Sequence, residues 1–189
     1  MQVNITFRQL EPTDALKSHV QDKVQHIQRY IDRPTEAHAV LRVEHLLHHA
    51  EITMKAGRFS LRGRARSEDM YASIDAAAEK IERQLKKHKE RVRDHKATHI
   101  PHDWSPVAVR HEVLEAPGSL AARVVSSSTF QALPMALEEA VVQLDLLNAR
   151  FYVFQNVKTR TLNLVWRRDD GKLSLVDVRP APAARAAVP

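Results

Sequence analysis

The sequence predicts an α+β protein with two parts: an N-terminal β-α-β-β-β-α domain, in which two helices cover one face of a sheet, and a small α+β domain at the C-terminal end. Apolar residues recur with a period of two in some segments and at three- and four-residue steps in others. This order is lost between the halves, where prolines gather. The predicted ranges are 1–96 for the first domain, 97–125 for a flexible linker, 126–180 for the second domain and 181–189 for a disordered tail.

The first domain begins with a strand at 2–8, where apolar and polar residues alternate. Thr13 is predicted to cap the helix that follows. The apolar stripe of that helix consists of Leu16, Val20, Val24, Ile27 and Ile31. Three strands come next, with a turn at Ala56-Gly57 between the last two. Their predicted inward-facing residues are Ala39, Leu41 and Val43, then Ala50, Ile52 and Met54, and finally Phe59, Leu61, Gly63 and Ala65.

A long helix then begins near Ser67 to Met70 and meets no glycine or proline before Pro101. Its predicted buried stripe is Ile74, Ala78, Ile81, Leu85 and Val92. Because the helix is longer than a small sheet needs, we expect its C-terminal turns to project.

The linker prediction at 97–125 includes one short extended piece. In the second domain a helix is predicted from Met135 to Leu147, with Asn148 as a left-handed stop. Three strands are predicted after it, and Asp169-Asp170-Gly171 forms the turn between the last two. The predicted strand ranges are 151–157, 161–168 and 173–178.

The composition narrows the classes of function. The absence of cysteine excludes disulfides, thiolate nucleophiles and cysteine-based zinc sites. No apolar run is long enough to cross a bilayer and no signal peptide follows Met1, so a cytoplasmic protein without a membrane partner is expected. The net charge of +6 favours a polyanionic partner. Residues 80–96 alone hold eight Lys and Arg against three Asp and Glu.

That basic segment is predicted to spread its cations over the solvent-facing side of the long helix. They are Arg83, Lys86, Lys87, Lys89, Arg91 and Arg93. Cations on a rigid helix suit phosphates, because each cation can displace a condensed counterion. The alternative is an ordinary solvated helix end, where cations also suit the helix dipole.

A second set of cations repeats at the strand period and therefore shares one face of a strand. Its members are Arg58, Arg62, Arg64 and Arg66. These arginines either face a polyanion or pair across strands with Glu44 and Glu51. Together the two cationic sets indicate binding to RNA or DNA through its backbone and shape.

The chain has 11 histidines, which raises a metal site or a ribonuclease-like pair as alternatives. The two clusters are His45, His48 and His49, and His95, His99 and His102. No glutamate stands near them in a metalloprotease arrangement, and surface histidines near turns explain both clusters. No nucleophile elbow, carboxylate pair or phosphate-binding glycine loop is present. We therefore expect that the protein is not an enzyme and that it binds no metal, no cofactor and no small-molecule substrate.

Several short motifs of this sequence match those of one known protein family, in the same order and with the same spacing. In the first half they are Met-Gln-Val-Asn-Ile-Thr at 1–6, Tyr-Ile-Asp-Arg at 30–33, Asp-Met-Tyr-Ala-Ser-Ile-Asp at 69–75 and Arg-Gln-Leu-Lys-Lys-His-Lys at 83–89. In the second half they are Phe-Tyr-Val-Phe-Gln-Asn at 151–156 and Val-Trp-Arg-Arg-Asp-Asp-Gly at 165–171. With these motifs the chain resembles the long form of the ribosome hibernation-promoting factor family, also called ribosome-associated inhibitors.

The resemblance implies that the first domain lodges in the channel of the small ribosomal subunit, where messenger and the A- and P-site transfer RNAs would lie. Initiation would then be blocked sterically. The residues implied to contact the ribosomal RNA backbone are Arg83, Lys86, Lys87, Lys89 and Arg91. The alternative is a protein-binding regulator, since relatives are also described as modulators of a sigma factor.

The resemblance further implies a second domain that dimerises and joins two ribosomes. A unit of about 55 residues without disulfide or metal is marginal alone, and self-association is a common remedy. The strand at 151–157 presents apolar groups to both faces, one of which could meet a second copy; the alternative is a strand covered wholly within its own domain. The predicted dimerisation residues are Phe130, Phe151, Val153, Phe154 and Trp166.

Overall fold

A computed structural model describes six stretches of the chain, and of residues 34, 35 and 90–93 it describes the backbone alone. The stretches are 2–31, 34–57, 59–93, 104–105, 107–115 and 123–179. The chain divides into two compact units, of which the first is Met1–Ala97 with Val141–Arg150 and the second is Thr98–Ala140 with Phe151–Pro189. The predicted disordered tail and Arg58 lie outside the described residues.

The first unit is a four-stranded sheet with two helices, in the order β-α-β-β-β-α that the sequence predicts. Its elements are β1 (Gln2–Arg8), α1 (Asp14–Gln28), β2 (Pro34–Glu44), β3 (Leu47–Ala56), β4 (Phe59–Ser67) and α2 (Met70–Arg93). The strands lie in chain order, with β1 parallel to β2 and the other pairs antiparallel. The parallel pair follows from α1, which carries the chain back across the sheet before β2 begins.

The core of this unit lies on one face of the sheet, as predicted. The α1 stripe is buried from Leu16 to Ile31, and the inward-facing residues of β2, β3 and β4 are buried or half-buried. Thr13 caps α1 by accepting a hydrogen bond from the Leu16 N–H at 3.3 Å. Gly57 has a φ of +60° at the predicted turn, a conformation that glycine adopts without strain.

The long helix departs from the prediction in one respect. At His88 the backbone has φ −114° and ψ 16°, so α2 is kinked there rather than continuous. His88 is also buried, although the predicted stripe passes from Leu85 to Val92. The side chain of Val92 and the residues after Arg93 lie outside the described part, so the predicted projecting turns are not described.

The second unit contains a two-stranded antiparallel sheet of β5 (Val107–Glu115) and β6 (Arg123–Ala132). It also contains a four-stranded sheet in the order β10-β9-β8-β7. These strands are β7 (Pro134–Met135), β8 (Phe151–Asn156), β9 (Leu162–Arg167) and β10 (Leu173–Val178). Helix α3 (Leu137–Leu146) begins in this unit, and its residues from Val141 onward belong to the first. Positive φ values at Asn148 and Gly171 confirm the predicted helix stop and hairpin turn.

Strand β5 lies inside the range predicted as a linker and is longer than the short extended piece expected there. Its residues pair with β6 from Val107↔Ala132 to Glu115↔Arg123. The prolines and the glycine of 97–125 lie before and after β5, so the strand itself has no residue that would interrupt the ladder. The sequence could not show this pairing, because the hydrogen-bonding partner is a separate segment.

Candidate RNA-binding surface

A close contact between α2 and β4 positions the two cationic sets relative to each other. A Cβ added at Gly63 would lie 2.0 Å from the carbonyl oxygen of Ala77, well inside van der Waals contact. Only a residue without a side chain lets the helix backbone lie directly on the strand. This contact sets the position of α2, at Ala77, relative to the arginines of β4.

Side chains also form hydrogen bonds with backbone groups along the outer edge of β4, which is the last strand of the sheet. Lys80 Nζ donates to the carbonyl oxygen of Arg64, and Gln84 Nε2 donates to that of Arg62 at 3.5 Å. Gln143 bonds both backbone groups of Ser60. An edge strand whose backbone groups are already bonded does not recruit a further strand.

We call the C-terminal part of α2 the basic helix. Its exposed face carries Arg83, Lys86, Lys87 and Lys89, as the sequence predicts. Lys87 Nζ lies 2.9 Å from Asp145 Oδ2, so this cation already has a partner in the first unit. Within the part of the chain that the structure describes, no ion pair is formed by Arg83, Lys86 or Lys89. Arg91 and Arg93 lie on the described helix backbone, while their side chains lie outside the description.

Sequence reasoning missed the environment of His88. Its Nε2 lies 3.3 Å from Asp145 Oδ2, and only 8 % of its side chain is exposed. The local sequence Lys-Lys-His-Lys indicates a solvated helix face, and the acidic partner is more than 50 residues away along the chain. No signal in the sequence could have found this contact.

The arginine side chains of β4 point away from the helices, toward the open face of the sheet. Arg64 is exposed and forms a two-point contact with Glu51, at 2.9 Å and 3.1 Å. Arg62 is half-buried, and its Nε lies 3.4 Å from Glu51 Oε1. Burial, and then the charge of Arg64, lower the pKa of Arg62, whereas Glu51 raises it.

The alternative of cross-strand pairing is thus correct for Arg62 and Arg64 with Glu51. It is wrong for Glu44, which pairs along its own strand with Arg42 at 3.1 Å. Arg66 is exposed, and no described residue forms an ion pair with it. Among the described members of the two cationic sets, those that form no ion pair are therefore Arg66 on the sheet and Arg83, Lys86 and Lys89 on the helix.

The histidines that the structure describes do not gather into a metal site. Among the described residues, no three His, Cys, Asp or Glu side chains could hold a metal ion. His45 lies in the turn between β2 and β3 with a φ of 48°, and His95, His99 and His102 lie outside the description. No described helix is long and apolar enough to cross a membrane.

Four of the five predicted dimerisation residues lie on the second unit's larger sheet, where they separate onto its two faces. The register pairs Phe151 with Trp166, and both point to the same side as Val153. Phe151 is 44 % exposed, Trp166 is half-buried and Val153 is buried. Phe154 lies on the opposite side and is fully buried. Phe130, on β6, is 39 % exposed.

The face that carries Phe151 has apolar residues on three strands. Val153 pairs with Leu164, which in turn pairs with Val176, and Val178 lies further along β10. Val176 and Val178 are 43 % and 52 % exposed. We call this set, Phe151, Val153, Leu164, Trp166, Val176 and Val178, the apolar face. Sequence reasoning missed its β10 members, although β-branched residues alternate in that segment.

Both halves of the chain match known families. Residues 3–93 match the family described as Sigma 54 modulation protein / S30EA ribosomal protein, and residues 120–175 match Sigma 54 modulation/S30EA ribosomal protein C terminus. The ribosome hibernation promotion factor of Bacillus subtilis is 32 % identical, covering 94 % of this chain and 98 % of its own length. That of Lactococcus lactis is 31 % identical, with 92 % and 97 % covered. Among solved structures, the N-terminal domain of Thermus thermophilus Protein Y is 31 % identical over 46 % of this chain and 98 % of its own, with a TM-score of 0.43.

Proposed function

This chain belongs to the long-form ribosome hibernation promotion factors, a family of non-enzymatic ribosome-binding proteins, and from that premise we propose that its first unit binds the RNA of the small ribosomal subunit. There it occupies the channel for messenger and for the A- and P-site transfer RNAs. Occupation alone prevents initiation, so no chemical step is required. The site of action is the ribosome, in the cytoplasm.

One observation carries this proposal: three neighbouring cations on an exposed helix face have no acidic partner among the described residues. Arg83, Lys86 and Lys89 project from a helix that is packed directly on the sheet. Cations held in this way neutralise phosphates and release condensed counterions, which supplies most of the affinity of backbone-directed RNA binding. Arg91 and Arg93 follow on the same helix, and Arg66 adds an exposed cation on the open face of the sheet.

The proposal is tested by charge reversal at Arg83→Glu, Lys86→Glu and Lys89→Glu in the full chain. The triple variant should move from the ribosome fraction to the top of a sucrose gradient, since each substitution replaces an attraction to phosphate by a repulsion. A matched control is Arg123→Glu, Arg150→Glu and Lys172→Glu, which changes the net charge equally at exposed positions elsewhere. If the control also leaves the ribosome, net charge rather than this surface governs binding.

For the second unit we propose a homodimer formed through the apolar face, which would pair two inactive ribosomes. A contiguous apolar surface of this kind is uncommon on a monomer and is typical of an interface. Phe151 and Trp166 supply the aromatic anchors that dominate interface energies. Phe154 is not part of this surface, because it lies on the opposite side of the sheet and is fully buried there.

The dimer is tested with Phe151→Glu and Val176→Glu, both exposed in the single chain. A charge buried in an apolar interface without a partner is costly, so the double variant should be monomeric by analytical ultracentrifugation. It should still bind single ribosomes while losing the ribosome-pair peak. Leu46→Glu, at a position 90 % exposed in the first unit, is the matched control and should leave the dimer intact.

The family description also names sigma-54 modulation, which would require a protein partner. The charge-reversal variant separates the two functions. A regulator of transcription would keep its function when ribosome binding is lost, whereas a hibernation factor would not.

A further inference from the structure

The open face of the first unit's sheet carries a row of basic side chains that crosses all four strands. The register pairs Arg8 with Arg42, Arg42 with His49 and His49 with Arg66. The residues just before Arg8 and Arg42 and just after His49 are Phe7, Leu41 and Ala50, which pack toward the core. The four basic residues therefore point to the same, opposite side. We call them the cross-strand row.

One pair of this row, Arg8 with Arg42, places two positive charges on neighbouring strands. Like charges directly opposite one another on neighbouring strands destabilise a sheet. Glu44 forms an ion pair with Arg42, and Glu51 forms ion pairs with Arg62 and Arg64. In the described part of the chain no acidic side chain forms an ion pair with Arg8 or Arg66, which stand at the two ends of the row.

The row also borders a groove of about 400 Å³ on the open face. The charged and basic side chains that line it are Arg8, Arg42, His49, Glu51 and Arg64. Its size and cationic lining suit phosphate groups. With strands about 4.8 Å apart, four strands span about 14 Å, room for more than one phosphate of a nucleic acid backbone.

We propose that the cross-strand row is a second RNA-backbone site, separate from the basic helix, with Arg8, Arg42 and Arg66 contacting phosphates and His49 donating a hydrogen bond between them. The inference rests on the proposed RNA-binding function and extends it to the open face of the sheet. Arg8 and Arg42 come together only through strand pairing, because they are 34 residues apart in the sequence.

Glu51 has a defined part in this site. It lies between Arg62 and Arg64 in the structure and lines the same groove. Its carboxylate occupies the position that a phosphate would take, so incoming RNA must displace it from the two arginines. Replacing Glu51 by an uncharged residue of the same size therefore strengthens RNA binding.

The test compares the wild-type full chain with Arg8→Gln, Arg42→Gln and Arg66→Gln combined. Binding to isolated small ribosomal subunits is measured over a series of KCl concentrations. We expect the triple variant to bind about tenfold more weakly near physiological salt. The slope of log affinity against log salt should fall by about 2 to 3, about one for each phosphate that the variant no longer neutralises. The melting temperature of the triple variant should not fall, because the like charges that it removes repel one another.

Two further variants make the outcome decisive. Glu51→Gln should raise the affinity severalfold, whereas a purely structural cross-strand network would show lower stability and no tighter binding. The neutral control, Arg123→Gln with Arg150→Gln and Lys172→Gln, should leave the slope unchanged.

Unchanged binding by the row variant, with binding still abolished by charge reversal on the basic helix, overturns the second site and leaves the proposed function intact. Failure of the wild-type chain to bind small subunits overturns both.

Discussion

The side-chain amide of Gln143 forms two hydrogen bonds with the backbone of Ser60: its Oε1 accepts from the Ser60 N–H at 3.1 Å, and its Nε2 donates to the Ser60 carbonyl oxygen at 2.7 Å. An amide that bonds both groups of one residue takes the place of a neighbouring strand. Gln143 is buried, and Val142 and Leu146 beside it belong to the core of the first unit. The segment Val141–Arg150 is thus an integral part of that unit.

Replacing Gln143 by alanine should destabilise the first unit by about 2 kcal/mol, because two partly buried backbone groups of Ser60 lose their partner. Urea unfolding followed by circular dichroism measures the loss. Gln131→Ala is the matched control, since Gln131 is exposed on β6, and it should change the free energy of unfolding by less than about 0.5 kcal/mol. Equal effects of the two substitutions would contradict the role assigned to Gln143.

The contact between α2 and β4 predicts a larger cost at Gly63. A methyl group there would meet the Ala77 carbonyl, which is backbone and cannot move aside, so Gly63→Ala should cost about 3 kcal/mol. Gly57→Ala is the comparison: no atom of the described residues lies within 4 Å of its added Cβ, and the positive φ alone should cost about 1 kcal/mol. Thermal unfolding of both variants decides whether close approach or backbone conformation dominates.

Asp75 links the two helices of the first unit. His19 Nε2 lies 2.6 Å and Lys23 Nζ 3.1 Å from its Oδ1. Burial alone would raise the pKa of Asp75, but the hydrogen bonds and charges of Lys23 and His19 outweigh it and hold this pKa below the ordinary 3.8. A lowered pKa contributes stability above the ordinary value, which is lost as the pH falls through the folded-state value.

Asp75→Asn should therefore lower the melting temperature at about pH 6, and the curves of variant and wild type should converge below pH 3.8. The difference stays under about 1 kcal/mol, because the carboxylate is partly exposed to water. Asp22→Asn, at an exposed aspartate on α1, should follow the wild type throughout. A constant difference down to pH 2 would show that the effect is not electrostatic.

The neighbours Lys86 and Lys87 should contribute unequally to ribosome binding. Lys86→Gln should lower the slope of log affinity against log salt by about 0.9, the value for one phosphate contact. Lys87→Gln should lower it by less than half as much, because Asp145 already holds Lys87 at 2.9 Å. The salt dependence of binding to small subunits measures both, and equal slopes would mean that Lys87 leaves Asp145 in the complex.

The fold of the first unit was predictable because its local patterns are strong. The stripe of α1 and the alternation of Leu61 with Arg62 and Arg64 each follow one period, and burial agrees with both. The exposure of Lys86 and Lys89 follows from the same periodicity.

The remaining features depend on contacts between distant segments. The kink at His88 coincides with its contact with Asp145, and the cross-strand row exists only once four strands are in register. Strand β8 carries apolar residues on both faces, so no period could tell which of Phe151 and Phe154 would be buried. These features require tertiary structure, and a local window contains none of it.

The absence of a side chain at Gly63 also affects how RNA would be selected in the role proposed above. With the backbones of helix and strand in direct contact at Ala77 and Gly63, the two elements cannot move closer together to suit the ligand. Such a surface is preorganised, so association sacrifices little conformational entropy in the protein backbone. An RNA with a different spacing of phosphates would engage one set of cations or the other, but not both. A residue that faces the core, and touches no RNA, would thereby determine which RNA geometry is accepted.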